Sequence, residues 1–320
     1  MSAGTCLDAP PKPVSDHKLT PAQQATDALD WSFDGSWPFE PRWHWVDGVR
    51  LHYIEEGPPS GDPVVMVHGS PTWSYIYRKL IVKLRASGRR SIAVDHLGFG
   101  RSDKPHRQRE YSLERHARLF GSVLDRLSLR DTTLVVHGWG APIGLSWAVR
   151  QPDRIKALVV LNAFLDPASP GSGASTALDR VPGVGNVLLK GAHRSFHRAV
   201  REDATGRSLS LAELGAYAEP HPSWDSRTGI LAFARSMSRS SVDAVRSRSD
   251  ELERGLAQLD DKPALIAWGM DDRSMSTSQL DGWRARLPHA DVLALDGVGH
   301  LVPEAAADEL ATAILELGTT

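Results

Sequence analysis

The sequence predicts an α/β protein: a doubly wound, mostly parallel sheet interrupted by a helical cap. Short, fully apolar runs alternate with amphipathic stretches at helical spacing, the pattern of buried parallel strands joined by covering helices. A turn rich in Gly, His, Ser or Asp follows five of the six buried apolar runs. The alternation stops in mid-chain, in a segment without a buried strand, and resumes near the C-terminus.

The first 40 residues form an expected loosely ordered leader, because Pro10, Pro11, Pro13 and Pro21 break any helix and no apolar period is present. The ordered domain is predicted to begin near Trp43. Arg42 to Val46 and Val49 to Ile54 flank Asp47-Gly48, a hairpin turn signal. Val64 to Val67 is the first buried parallel strand, Trp73 to Leu84 a helix and Ile92 to Val94 the next strand. The helix Leu113 to Leu127 has Ser112 as its N-cap. There follow a strand at Thr133 to Val136, a helix at Ala141 to Arg150 and a strand at Ala157 to Leu161.

The interruption begins with the Gly/Ser/Pro-rich segment Pro167 to Ser175 and continues through helical stretches around Val187–Val200 and Leu209–Tyr217. A helix near Val242–Leu259, a strand at Ala264 to Ala267 and a helix through Trp283 resume the rhythm. The strand Val292 to Leu295 and a last helix over Ala305 to Leu317 complete it. The expected organisation is therefore a leader over 1–40, a core over 41–163 and 238–320, and a cap over 164–237.

Composition bounds the function. Of the 320 residues, 41% are hydrophobic and 24% charged, ordinary proportions for a soluble globular chain. A net charge of −2, without a basic run, gives no electrostatic case for nucleic acid or an anionic membrane. The only cysteine, Cys6, excludes an intramolecular disulfide and fits a cytoplasmic location. No apolar leader or membrane-spanning run is present, so no membrane insertion is expected. Ten tryptophans point to an aromatic cavity for a small or medium hydrophobic substrate.

In an open α/β sheet, ligands bind beyond the carboxyl ends of the strands. The segments there are His68-Gly69-Ser70-Pro71, Asp95 to Ser102, His137-Gly138-Trp139-Gly140, Gly269-Met270-Asp271-Asp272 and Gly297-Val298-Gly299-His300. Their order resembles the α/β-hydrolase fold: oxyanion loop, nucleophile elbow, acid, then histidine. Within it, the chain is most similar to the haloalkane dehalogenases and to the β-lactone decarboxylases of olefin biosynthesis. The segments carrying this likeness are His68 to Tyr75, Asp95 to Pro105, His137 to Gly144 and Ala216-Tyr217-Ala218-Glu219-Pro220. It runs from about Trp37 to the C-terminus.

The resemblance implies that His300 is the catalytic base and Asp272 its carboxylate partner, with Asp271 the competitor for that role. It implies an oxyanion hole from the backbone N–H groups of Ser70 and Trp139, and a halide-binding N–H on the Trp139 indole. Ser70 stands where one branch of the family carries an asparagine on the halide. At the elbow the family pattern needs an aspartate that forms an ester, which water then hydrolyses. This sequence has Gly138 there, and neither Ser70 nor Ser146 lies on the elbow.

Ordinary dehalogenase turnover is therefore not expected. Three readings stay open: His300 and Asp272 acting alone as a general base, an inactive ligand-binding pseudoenzyme, or an ordinary aspartate enzyme altered at Gly138. The first allows hydrolysis, elimination, ring opening or closure, or rearrangement.

Other features take structural readings. His137 is expected to be packed and hydrogen-bonded, His68 to order the oxyanion loop, and Phe99 to be structural. Trp224 and Phe233 either line the pocket or join cap to core. His193 and His197 have a zinc-compatible spacing but no third ligand. No cofactor site and no metal site is expected, and Gly98 and Gly100 do not form a dinucleotide fingerprint.

Overall fold

A computed structural model describes residues 24, 27–164, 190, 209–239 and 251–318. Its sheet has eight strands: β1 (Arg42–Val46), β2 (Val49–Glu56), β3 (Pro63–Val67), β4 (Arg90–Val94), β5 (Thr132–Gly138), β6 (Ile155–Ala163), β7 (Ala264–Gly269) and β8 (Asp291–Leu295). They lie in the order β1-β2-β4-β3-β5-β6-β7-β8. β2 runs antiparallel to β1 and β4, whereas the pairs from β4 through β8 are parallel. The expected α/β class and every predicted strand are present, each extended by a residue or more except at the hairpin's first arm.

The described helices are α1 (Arg78–Ala86), α2 (Leu113–Arg126), α3 (Gly140–Ala148), α4 (Leu211–Ala218), α5 (Thr228–Arg239), α6 (Thr277–Arg286) and α7 (Ala307–Glu316). The strand order reverses direction at β3. Right-handed crossovers then place α1 on one face of the sheet and α2 and α3 on the other. Accordingly α1 packs with α7, and α2 with α3. Ser112 caps α2 as predicted, its Oγ accepting from the Arg115 N–H at 3.2 Å.

Some boundaries differ from the sequence reading for local reasons. Trp73 is extended, and a 3-10 turn over Ser74–Tyr77 precedes α1, because the Ser74 N–H donates to buried Asp95 rather than starting a helix. The last helix is broken at Ala306 (φ −129°, ψ 41°), leaving a single turn over Val302–Ala305 before α7.

The expected leader extends less far than residue 40. Trp31, Phe33, Trp37 and Phe39 are buried, with Trp31, Phe33 and Trp37 edge-on or tilted against Trp73. Large aromatic rings separated by turns can seat in a core without any periodicity, so period alone does not reveal them.

Residues 165–189 and 191–208 of the expected cap, including the Pro167–Ser175 segment, His193 and His197, lie outside the described residues. So does most of the stretch around Val187–Val200. Helix α4 falls within the cap range and α5 runs two residues past its end, and no strand occurs there among the described residues. The helix predicted near Val242–Leu259 is described only from residue 251, where it runs to 256 and ends in a 3-10 turn, Ala257–Leu259. Among the described residues, no helix is long and apolar enough to cross a membrane.

Candidate active site

The reversal at β3 opens a crevice beyond the carboxyl ends of β3 and its neighbour β5. Ser70 follows β3, and Gly138 and Trp139 follow β5. From the other half of the sheet, β6 ends at Asn162 and Ala163, Asp272 follows β7 and His300 follows β8. Residues scattered over more than two hundred positions thus converge on one edge.

The elbow between β5 and α3 is sharp. Gly138 has φ +53°, in the left-handed region that few side chains adopt. A Cβ there would nevertheless meet only ordinary contacts, 3.4 Å from His300 Nε2 and 3.8 Å from Gly69 Cα. Gly140, two residues on, is different: its Cβ would fall 2.1 Å from the Val67 carbonyl oxygen. Gly140 is required by the close approach of α3 to β3; Gly138 is not required by space.

Trp139 is the N-cap of α3, and its ring packs against Phe164 with centroids 4.9 Å apart. Among the described residues, neither the Ser70 N–H nor the Trp139 N–H donates a hydrogen bond. The two turns that present them touch: a Cβ on Gly69 would lie 3.0 Å from the Trp139 nitrogen. His68 holds the first turn, its Nδ1–H donating to Gly69 O at 2.9 Å while Nε2 accepts from the His96 N–H at 3.0 Å.

His300 Nδ1 is 2.7 Å from Asp272 Oδ2. Asp272 is a fully buried side chain with a well-satisfied carboxylate. Oδ2 also accepts from Asn162 Nδ2 at 2.7 Å, and Oδ1 accepts from the N–H groups of Ser274 (2.6 Å) and Met275 (3.0 Å). Burial alone would raise its pKa, but His300 and these donors outweigh it and hold the carboxyl below its ordinary value. Asp271 is exposed and ties its backbone N–H to Val298 O at 2.9 Å. Of the two candidate acids, Asp272 is the one on His300.

An ionised Asp272 accepts, so Nδ1 of His300 carries its proton and Nε2 is the basic nitrogen. That nitrogen is also the one nearest Gly138. His137 supports the arrangement from below: its Nε2–H donates to the His300 carbonyl at 2.8 Å, with the rings 4.7 Å apart. Burial, reinforced by His300, depresses the His137 pKa to about 3, so it is neutral.

Asn162 was not among the sequence candidates. It sits at φ +33°, donates to Asp272 and Gly269 O, and accepts from the Gly269 N–H at 2.7 Å. The available signal was a lone polar residue closing a run of apolar strand residues. Phe233 of α5 packs on Phe99 (5.0 Å) and His116 (4.6 Å), whereas Trp224 is 46% exposed under the Lys190 ammonium. Among the described residues no cluster of His, Cys, Asp and Glu could hold a metal ion.

Comparison with known proteins agrees with this architecture. The family profile described as "alpha/beta hydrolase fold" matches residues 62–306. The chain is 35% identical over 281 residues to a cis-3-alkyl-4-alkyloxetan-2-one decarboxylase from Shewanella oneidensis, covering 87% of each chain. It is likewise 35% identical over 280 residues to a haloalkane dehalogenase from Mycolicibacterium paratuberculosis, covering 83% of this chain and 87% of the relative. Among solved structures, the haloalkane dehalogenase DatA from Agrobacterium tumefaciens C58 superposes with a TM-score of 0.73 at 29% identity, over 87% of this chain and 96% of that one. With its sheet order, elbow and strand-end residues in place, the chain belongs to the alpha/beta hydrolase fold family, among relatives that are haloalkane dehalogenases and oxetanone decarboxylases.

Proposed function

We propose that this protein is a hydrolase-fold enzyme that works without a covalent nucleophile, using His300 and Asp272 as a general base and the Ser70 and Trp139 N–H groups as an oxyanion hole. The substrate is a small or medium hydrophobic molecule carrying a carbonyl or lactone. One observation carries the reading: His300 Nδ1 stands 2.7 Å from a fully paired Asp272 while Nε2 lies over a residue that has no side chain.

The chemistry follows from the donors and acceptors present. His300 Nε2 takes a proton from water, the resulting hydroxide attacks the carbonyl carbon, and the oxygen that becomes negative is met by the two backbone N–H groups. Asp272 stabilises the imidazolium formed. Collapse of the tetrahedral species expels the ring or ester oxygen, which takes the proton back from His300. No bond to the enzyme forms.

A β-lactone is the first substrate to test, since a relative is named for acting on an alkyl oxetanone. Turnover in 18O-labelled water should place the label in the product, with no mass added to the protein in single-turnover quenching. His300→Gln should reduce turnover about 10²–10⁴-fold. Unchanged turnover in that variant, or a covalent adduct on the parent, refutes the proposal. A ligand bound without turnover indicates instead a binding protein.

A second reading, an aspartate enzyme altered at one position, is favoured by a specific observation. A Cβ at Gly138 meets only ordinary contacts, and aspartate is among the residues that best tolerate its left-handed backbone.

A further inference from the structure

Behind the turn that carries His300 lies a buried ion cluster that the chemistry above does not use. Glu304, four residues after His300, is 3% exposed, Arg78 of α1 is 4% exposed and Tyr217 of α4 is fully buried. Glu304 Oε1 accepts from Arg78 Nη1 and from the Tyr217 hydroxyl, the latter at 2.5 Å. Its Oε2 accepts from Lys79 Nζ at 2.6 Å, and the same ammonium reaches the Glu304 carbonyl at 3.0 Å. Arg78 completes the cluster through Nη2 to Glu213 of α4 at 2.6 Å.

Such an arrangement is weak as a source of stability. Desolvating a carboxylate and a guanidinium offsets most of their attraction, and apolar residues of similar volume commonly do as well. Its better-attested use is to fix one register among several. Here the register concerns the turn Leu301–Ala305, whose two ends are both held. At the near end the His300 carbonyl accepts from His137 Nε2 and from the Val302 N–H. At the far end Glu304 is clamped by donors from α1 and α4. Helix α4 is itself fastened to the core by Trp73 Nε1, which donates to Ala216 O at 2.9 Å, and it starts with a full capping box at Ser210 and Glu213.

The geometry points to Glu304 as a positioning residue for His300, with the Tyr217 hydroxyl making that positioning depend on the seat of the cap-range helix α4. A shift of α4 would withdraw the hydroxyl from Glu304 Oε1, loosen the far end of the turn and lengthen the His300–Asp272 contact. The His300 imidazole would thus be held in register only while α4 is docked.

The test reads the His300 Nδ1–H directly and needs no substrate. In the full-length protein labelled with 15N-histidine, that proton is assigned by its loss in His300→Gln, and its exchange with solvent is measured in the parent, Tyr217→Phe and Glu304→Gln. Tyr217→Phe removes one hydroxyl and keeps the ring, so it stays folded even if Glu304→Gln does not. Faster exchange by about tenfold is expected in Tyr217→Phe, the scale of coupling inside one buried network, with a larger effect in Glu304→Gln where it folds. A purely structural cluster would lower the melting temperature and leave the Nδ1–H unmoved. Exchange in Tyr217→Phe less than threefold faster than in the parent overturns the proposal, whatever Glu304→Gln does.

Discussion

Gly138→Asp separates the chemical readings of this site, and the structure sets its scale. The substitution places a non-glycine residue at φ +53°. A left-handed conformation costs roughly 1–2 kcal/mol, and aspartate is among the residues that tolerate it best. No clash at Cβ adds to this, because the new Cβ would meet nothing nearer than His300 Nε2 at 3.4 Å. A loss of about 1 kcal/mol in a domain of this size lowers the melting temperature by about 2–4 °C. The same operation at Gly140 would force a Cβ to within 2.1 Å of Val67 O. Gly140→Ala should therefore cost about 3 kcal/mol or more, as overpacking against backbone does.

The assay combines thermal melts with halide release from a short haloalkane and ring cleavage of a β-lactone, followed by intact mass after rapid quenching. If the elbow position is the one that a nucleophile would occupy, Gly138→Asp folds, forms an adduct and turns over, and adding His300→Gln lets the ester accumulate. A folded Gly138→Asp that forms no adduct refutes the assignment of Gly138 to the nucleophile position. Destabilisation equal to that of Gly140→Ala refutes the steric reasoning.

Three further outcomes follow from buried polar groups. Burial holds the neutral forms of His116 and His137, each with a pKa lowered to about 3 from 6.5. Stability is then full above pH 6.5 and is lost as pH falls, because the unfolded chain binds protons that the folded one refuses. Two such groups give about 3 kcal/mol of lost stability per pH unit near pH 5, measurable by urea unfolding at pH 5, 6 and 7. Among the described residues, both ring nitrogens of His116 are buried without a hydrogen-bond partner, between Phe233, Tyr111 and His96. His116→Phe should be neutral or stabilising by about 1 kcal/mol at pH 7 and should remove one proton from the acid slope. Asn162→Ala strands the Gly269 N–H and removes a donor from Asp272, so a loss of about 2 kcal/mol and a higher Asp272 pKa are expected, read by unfolding and by 13C titration of the carboxyl.

β1 and β2 were legible from the Asp47-Gly48 turn between them and the other strands as short apolar runs, and the site was legible because most of those runs end in unusual residues. His68, Asp272 and His300 stand out by chemistry and by order. What sequence did not reveal depends on distance in three dimensions. Asn162 resembles any polar residue at a strand end until β7 brings Gly269 against it. Trp31, Phe33 and Trp37 sit in a proline-flanked segment and gain their place only from Trp73 and Tyr75, far along the chain. Glu304 reads as one acidic residue ahead of the last predicted helix, whereas it faces α1 and α4 rather than water.

Gly138 bears differently on fold and on chemistry. For the fold, a glycine at φ +53° relieves backbone strain, and nothing around it collapses to compensate: the Gly69 turn remains against Trp139, and His300 remains on Asp272. For chemistry, the same glycine leaves no side chain at the elbow facing His300 Nε2. A chain kept only for binding has no evident use for a carboxylate that accepts from His300, Asn162, Ser274 and Met275, nor for a neutral His137 bracing the His300 carbonyl. Buried polar groups on this scale are costly unless hydrogen-bonded, and, His137 Nδ1 apart, these hydrogen-bond around one imidazole. That concentration of hydrogen bonds on His300 supports an acid–base role more strongly than the glycine argues against one.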